Sequence, residues 1–483
     1  MEFKRLLEQI DYLKIKGVAP KEINKVTDSS KDVEKSSLFI CVNGCNVKGI
    51  DFIREAKQRG CSVIVSQEEV ETDLCLVLVE DVKRAVSQIA KAFYGNPQED
   101  LRVVGVVGTN GKTTVCHVLS KMLSSGGYEV GITGTIGTYY KGKQYDTKLT
   151  TPGCLNLYKL IREMADDGVE VLVMEVSAHA IDQRRIEGIS FHSLIFTNCT
   201  EDHLDYFEDF ERYKLTKKSV FTSGVSKYMI VNSDDQAGRE ILSTADGKII
   251  TYGIENPADV FAIDVNESAC GIEYVINLCD AIYDIKSNLI GRVNVYNTLA
   301  CSACSAAFGI NIHTIAKSLL NIPPVEGRAE PIASVRGCQV FIDYAHTPDG
   351  LRQTLTSMKK ICKGRLFCLF GCGGNREKQK RSVMGKISGS IADFTVITDD
   401  NPRYEDECAI IKQIEEGVMS VTHNYITIKD RRSAIQYALD KVGKNDVLLI
   451  AGKGAEKYQE ILGERRYFSD KDEVLSYLSL TEA

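Results

Sequence analysis

Short apolar runs alternate with amphipathic stretches along most of the chain, and the alternation divides it into three regions. Residues 1 to about 98 give helix-like or strand-like segments at 3–15, 38–42, 52–59, 62–65, 75–79 and 82–93, closed by the turn Gly95-Asn96-Pro97. From about Leu101 a longer α/β run begins with a β-branched strand at 103–107 and a helical pattern at 115–123, followed by strand-like runs at 169–175 and 193–198. A more β-patterned stretch, roughly 248–289, precedes a helix that begins near Asn294. Pro323-Pro324-Val325-Glu326-Gly327 reads as a linker. Beyond it, strands at 340–343, 366–371, 394–398 and 447–451 alternate with helical patterns, which predicts a second doubly wound sheet.

Between the strand at 103–107 and the following helix lies Gly108-Thr109-Asn110-Gly111-Lys112-Thr113-Thr114. A strand–glycine loop–helix unit points successive backbone N–H groups, and the positive end of the helix, at one spot suited to a polyphosphate. Lys112 supplies a counter-charge and the Thr113 hydroxyl is available to Mg²⁺. The strict pattern G-x-x-x-x-G-K-[ST] is not met, because Val106 stands where the first glycine belongs. The predicted fold class is therefore α/β in three domains: a small N-terminal α/β domain (1–98), a central P-loop-type ATPase sheet (99–326) and a C-terminal Rossmann-like α/β domain (327–483).

Composition narrows the function classes. At 483 residues the chain calls for two to three domains, and 43% hydrophobic with 26% charged residues is the balance of a soluble globular protein. A formal charge of -7 leaves no basic excess to neutralise phosphates, which argues against a nucleic-acid partner. With no leading apolar segment and no run of membrane-spanning length, a cytoplasmic protein without membrane insertion is expected. The 16 cysteines then read as reduced thiols. Cys301-x-x-Cys304 falls in an alanine-rich helical run with no second pair at zinc spacing, so buried helical thiols are expected there; Cys41/Cys45 and Cys368/Cys372, four apart in strand or loop settings, likewise read as packed thiols rather than metal ligands.

Further chemistry sits at strand ends. Glu175 closes the apolar run 171–174, and Asp202-His203-Leu204-Asp205 follows the run 194–196, so Glu175 and His203 are candidate ligands for Mg²⁺ or Mn²⁺ beside the phosphates. In the last region Asp343-Tyr344-Ala345-His346, Gly371-Cys372-Gly373-Gly374-Asn375-Arg376 and Asp399-Asp400-Asn401-Pro402-Arg403 have the same strand-end character. Arg376 and Arg403 there suit bidentate recognition of carboxylate or phosphate, although surface arginines in turns would have the same local sequence. Lys217 looks like a solvated helical lysine; nothing local singles it out.

Taken together, these residues resemble the Mur ligase family of cell-wall peptide synthetases, essentially from end to end, from Thr27-Asp28-Ser29-Ser30 to Ala451-Gly452-Lys453-Gly454. The resemblance assigns ATP to Gly108, Thr109, Asn110, Gly111, Lys112, Thr113 and Thr114, with Asn294, Asn297 and Arg328; Asp343 joins the catalytic set with Lys112, Glu175, His203, Lys217 and Arg328. It makes Lys217 the lysine that the family carbamylates with CO₂, giving a metal set of Thr113, Glu175, His203 and N6-carboxylysine at 217. Thr27, Ser29, Cys45, Asn46, Val47, Thr150, Thr151, Ser177, Gln183 and Arg185 correspond to contacts with the nucleotide-sugar dipeptide, which makes residues 1–98 the UDP-sugar domain. Arg376, Asp400, Asn401, Pro402, Arg403, Gly452 and Glu456 correspond to contacts with meso-diaminopimelate in the C-terminal domain. Ser30, where an arginine is common, and Ala455, where a histidine is frequent, depart from the family pattern.

The activity implied is ATP- and Mg²⁺-dependent addition of meso-2,6-diaminopimelate to the D-glutamyl γ-carboxylate of UDP-N-acetylmuramoyl-L-alanyl-D-glutamate through an acyl phosphate, in peptidoglycan precursor synthesis. A monomer is expected. Lysine lacks the distal carboxylate that Arg403 is suited to pair with, so a lysine-adding ligase is the nearest alternative. An ATP-driven switch without ligase chemistry is the alternative from another class.

Overall fold

The computed structural model describes residues 1–44, 47–147, 149–222 and 224–481; the predicted contacts Cys45 and Asn46 lie outside them. The chain forms two compact units, Met1–Gly105 with Tyr128–Ser193 and Ser223–Lys227, and Val106–Gly127 with Leu194–Thr222 and Tyr228–Ala483.

In the first unit, parallel strands Lys25–Thr27, Ser37–Ile40, Cys61–Ser66 and Cys75–Leu78 are buried as near-continuous apolar runs, the pattern of a sheet covered on both faces. Lys14–Lys16 adds antiparallel to Cys75–Leu78 at the edge. The segment at 3–15 therefore divides into a helix, Phe3–Leu7, and this edge strand, where Lys14-Ile15-Lys16 follows a period of two rather than 3.6. Two exposed lysines on that edge strand also discourage pairing with another chain. Helix Val82–Phe93 starts where predicted, its first amides satisfied by the Asp81 carboxylate, which accepts from Lys83 and Arg84 at 2.9 and 3.2 Å. Strand Val171–Val176 pairs in parallel with Val130–Thr133, which continues into the hairpin Thr138–Tyr140 and Lys143–Tyr145.

In the second unit, strands Lys248–Gly253, Val260–Ser268, Gly271–Leu278 and Ala281–Ser287 realise the predicted β-rich stretch, and helix Val293–Ala307 follows. The last region is a six-stranded sheet in the order Glu330–Val335, Cys338–Asp343, Val447–Ala451, Leu366–Phe370, Phe394–Ile397, Tyr425–Thr427. The first strand is antiparallel and the rest parallel, so Asp343, Ala451, Phe370 and Ile397 end at one carboxyl edge. Ligands of doubly wound sheets bind at such an edge.

Helices Gln379–Ile391 and Glu407–Met419 cross at glycines: a Cβ on Gly417 would lie 1.9 Å from the Ser382 carbonyl oxygen, and one on Gly385 would lie 2.1 Å from that of Ile414. Glycine to alanine in a helix interior ordinarily gains about 1 kcal/mol. Here the backbone clash outweighs that gain, and Gly417→Ala is expected to destabilise the protein by roughly 1–3 kcal/mol. Thermal unfolding checks this; an unchanged or raised midpoint contradicts it.

Candidate functional site

The glycine loop follows strand Arg102–Val107 and opens helix Lys112–Ser125. Gly111 has φ +87, and a Cβ there would sit 2.6 Å from Asn297 Oδ1, so both backbone and space demand glycine. A Cβ on Gly108 would lie 1.8 Å from Thr197 Oγ1. Thr197 in turn donates to the Asn110 carbonyl at 2.7 Å, and the Asn110 amide donates to Asn198 Oδ1 at 2.9 Å. Lys112 Nζ donates to the carbonyls of Gly108 and Thr109 at 2.9 and 2.8 Å, keeping its ammonium over the loop. Asn297 donates to Asn294 Oδ1 (2.9 Å) and Asn294 to the Ile290 carbonyl (2.8 Å), so the two asparagines predicted at the nucleotide are linked to each other, with Asn297 against Gly111 of the loop.

Lys217 contradicts its local reading as a solvated lysine. It is 1% exposed, donates to Thr109 Oγ1 at 2.6 Å and lies 3.9 Å from the Tyr213 ring centre. Burial pushes its ammonium down to about 7, with Lys112 adding to the effect. Periodicity could not have revealed this, because Lys214, Lys217 and Lys218 share the polar helix Phe210–Lys218. Nearby, His203 has φ +57, and its Nε2 lies 3.4 Å from Asp202 Oδ2. Burial alone would raise the Asp202 carboxyl, yet His203, His346, Lys380 and Lys217 together hold it well below the usual carboxylate range.

Arg328 donates to Thr113 Oγ1 at 2.7 Å and stacks 4.6 Å from the centre of the Tyr344 ring. Asp343 fixes that approach: it accepts from the Ala329 amide at 2.6 Å, the Ala345 amide at 2.8 Å and Thr354 Oγ1 at 3.2 Å. Burial pushes its carboxyl up, against the pull of Arg328. The segment after the linker thus carries a guanidinium to the threonine that follows the loop lysine.

In the first unit, Glu175 Oε1 accepts from the Thr135 amide (2.9 Å), and its Oε2 from Thr135 Oγ1 (3.2 Å), which is 3.2 Å from Thr150 Oγ1. Thr151 donates to the Glu175 carbonyl at 2.8 Å and accepts from the Ser177 amide at 3.0 Å. Arg185 donates to the Thr151 carbonyl at 3.1 Å and to Gln183 Oε1 at 2.6 Å. Glu175 and the residues predicted to bind the dipeptide at 150, 151, 177, 183 and 185 therefore form one hydrogen-bonded network. Thr27 ends the strand Lys25–Thr27, accepting from the Ser29 amide at 3.1 Å, and Val47 is half exposed. Ser30 donates to Glu55 Oε2 at 2.7 Å, so the residue in the usual arginine position is engaged with a carboxylate.

At the C-terminal edge, Asn401 donates to Glu456 Oε2 (2.9 Å) and accepts at Oδ1 from Lys453 Nζ (3.1 Å) and the Glu460 amide (2.9 Å). Burial and Asp400 push the Glu456 carboxyl up. A Cβ on Gly452 would fall 2.6 Å from Asp400 Oδ2, so glycine there leaves room for that carboxylate. Pro402 is buried, Arg376 is exposed, and Arg403 (φ +52) donates from Nη1 to the Gly374 carbonyl at 2.8 Å.

Sequence reasoning missed two features of this edge. The wholly buried Lys453 carried no local signal, since buried lysines are rare. The hairpin Tyr458–Ile461/Glu464–Tyr467 has four exposed residues on its second strand and hence no hydrophobic alternation; Leu462-Gly463, both at positive φ, was its only trace. It pairs with the arginine loop, the Arg403 amide donating to the Glu460 carbonyl (3.0 Å) and the Leu462 amide to the Arg403 carbonyl (2.7 Å). Every described cysteine is a free thiol, and burial pushes Cys41, Cys368 and Cys372 up to about 12, as expected of packed thiols.

Among the described residues no three His, Cys, Asp or Glu gather as a metal site, and no helix is long and apolar enough to cross a membrane. The implied metal set holds only two such groups, Glu175 and His203, besides a hydroxyl and a lysine. A buried amine at 217, whose burial disfavours the ammonium, fits that set, because carbamylation would turn it into the missing carboxylate.

Comparison with known proteins gives matches over nearly the whole chain. Residues 106–305 match the Mur ligase middle domain, and residues 327–454 match the Mur ligase, glutamate ligase domain. A UDP-N-acetylmuramoyl-L-alanyl-D-glutamate–2,6-diaminopimelate ligase from Clostridium botulinum is 37% identical over 99% of both chains. The same-named ligase 1 from Clostridium acetobutylicum is 38% identical over 99% of this chain and 98% of its own. A solved structure of a ligase of that name superposes with TM-score 0.69 at 28% identity over 96% of each chain. The MurF ligase from Thermotoga maritima in complex with ADP shares the fold at 20% identity, with TM-score 0.61 over 88% of this chain and 93% of its own.

Proposed function

The chain belongs to the Mur ligase family, and from that premise we propose that it is the ADP-forming ligase that joins meso-2,6-diaminopimelate to UDP-N-acetylmuramoyl-L-alanyl-D-glutamate in peptidoglycan precursor synthesis. The observation that carries this reading is the Arg328–Thr113 contact, which sets a phosphate loop beside a sheet whose carboxyl edge bears Arg376 and Arg403. A switch that only hydrolyses ATP has no use for that second set of guanidiniums.

In the first half-reaction the D-glutamyl γ-carboxylate attacks the γ-phosphorus of ATP; the β–γ bridging oxygen leaves with ADP and an acyl phosphate remains. Lys112 and Arg328 offset the charge that builds on the transferred group. Asn294 and Asn297 orient the nucleotide, and Asp343 holds Arg328 at the reacting centre. Mg²⁺ held by Thr113, Glu175 and His203, with carbamylated Lys217 as the ligand added by family resemblance, would supply further neutralisation of the phosphates. In the second half-reaction the free amine of diaminopimelate attacks the acyl carbon, loses a proton, and phosphate departs as the amide forms. Arg376, Asn401, Arg403 and Glu456 bind the incoming amino acid, with Asp400, Pro402 and Gly452 shaping the pocket. Thr27, Ser29, Val47, Thr150, Thr151, Ser177, Gln183 and Arg185 hold the nucleotide-sugar dipeptide. The division into domains at residues 98 and 326 follows these three binding tasks, the protein acting as a cytoplasmic monomer.

Phosphate release from ATP, measured with the UDP-dipeptide and either diaminopimelate or lysine, tests the proposal. Release is expected to require the dipeptide and diaminopimelate together. Release without an amino acid would favour a switch, and release with lysine alone would overturn the specificity.

A further inference from the structure

Among the described residues the two largest wholly buried side chains are both arginines, Arg381 and Arg431, and both lie beneath the carboxyl edge of the C-terminal sheet. We propose that Arg381, through its ion pair with Glu405, is a positioning residue that fixes the spacing of the two amino-acid-binding loops and thereby sets selectivity, an inference that rests on the amino-acid reading of Arg376 and Arg403.

Arg381 lies in the first turn of helix Gln379–Ile391. It donates from Nη1 to Glu405 Oε2 at 3.0 Å and to Gln413 Oε1 at 2.9 Å, and from Nη2 to Glu405 Oε1 at 3.1 Å and to the Gly373 carbonyl at 3.2 Å. Glu405 also accepts the Asn375 amide at 2.5 Å, with Lys378 at 3.8 Å on its outer side. Asn375 Oδ1 accepts the Tyr404 amide at 3.0 Å, and the Gly374 amide donates to the Asn401 carbonyl at 2.8 Å. One bidentate pair therefore stitches residues 373–375 to residues 401–405. Arg376 directly follows the first segment, and Arg403 lies inside the second, its own Nη1 on the Gly374 carbonyl.

Stability alone gives little reason for such a pair. A buried ion pair can often be replaced by apolar residues of similar volume at no loss, whereas removing one partner strands a charge. What apolar residues cannot do is accept the Asn375 amide and donate to the Gly373 carbonyl. Lysine at 381 would keep the charge but not the planar fork that reaches two carboxylate oxygens and a carbonyl at once. Those functions concern loop geometry, and displacement of binding groups by about 1 Å is enough to cost on the order of a hundredfold in rate or affinity.

The test is steady-state kinetics on Arg381→Lys, Glu405→Gln and the charge-free double variant R381M/E405L, with KM measured separately for ATP, the UDP-dipeptide and the amino acid. Tenfold or greater elevation of KM for diaminopimelate is expected, with a smaller penalty for lysine. kcat should stay within about threefold and the other two KM values unchanged. The double variant, in which neither charge of the pair is stranded, should retain the elevated KM. A folded Glu405→Gln or double variant with wild-type KM for the amino acid overturns the proposal, as do KM values that rise together for all three substrates. Wild-type protein that ignores diaminopimelate would instead sink the reading beneath it, while the variant-to-wild-type ratio for the amino acid actually used would still decide the role of Arg381.

Discussion

Lys112→Ala is expected to lower phosphate release by a factor on the order of 10³ with all substrates saturating, since a charge aimed at a transferring phosphoryl group is worth several kcal/mol in a water-poor site. The fold should survive: Lys112 is a first-turn residue whose ammonium donates to the loop carbonyls of Gly108 and Thr109, four and three residues away. The loop itself is held by Thr197 and Asn198 and by the close fit at Gly108 and Gly111. The variant should therefore unfold near the wild-type temperature while losing turnover. The deficit should appear in kcat as well as kcat/KM, because the charge on the phosphate grows on the way to the transition state. Full activity in Lys112→Ala would remove the phosphate loop from the mechanism.

The sequence revealed most where one local rule decides the outcome. The glycine loop, the buried parallel strands and the positions of Glu175 and Asp343 at the carboxyl ends of their strands follow from periodicity and from the carboxyl-edge rule for α/β sheets, and the structure has them. The segment 3–15 reads as undivided because it contains both a helical and an alternating pattern, and the alternating part is taken up by a sheet edge. Lys217, Lys453 and Arg381 were illegible for a shared reason. Each is a cation buried by tertiary structure, and no local pattern distinguishes such a residue from its solvated neighbours. Family resemblance gave a role to Lys217 and none to the other two. Motifs thus point to candidate binding residues, while the buried charges beside them become visible only in the fold.

Lys217→Ala should cost on the order of 10²–10³ in turnover, and, unlike the Lys112 variant, it should be partly rescued by acetate or formate. The argument starts from burial. A lysine in water, at 10.5, is free amine to roughly one part in a thousand at pH 7.5. Lys217, pushed down to about 7 by burial, is mostly free amine at that pH, and only the free amine can attack the carbon of CO₂ and release a proton to leave a carbamate. The same burial that makes an ammonium unfavourable beside Lys112 makes the modification accessible, and a carboxylate delivered there would restore the balance of charge. Two signs follow. Wild-type activity should fall in CO₂-depleted buffer and return with bicarbonate. That dependence should grow stronger as pH drops through 7, because protonation removes the nucleophile. Free lysine amine at 217 would also leave the implied metal set with two carboxylate or imidazole groups, so Mg²⁺ affinity, read by titration of activity, should weaken in step with CO₂ loss. Indifference of the wild type to CO₂, together with no response of Lys217→Ala to acetate, would make the residue a buried amine that orders Thr109 and nothing more.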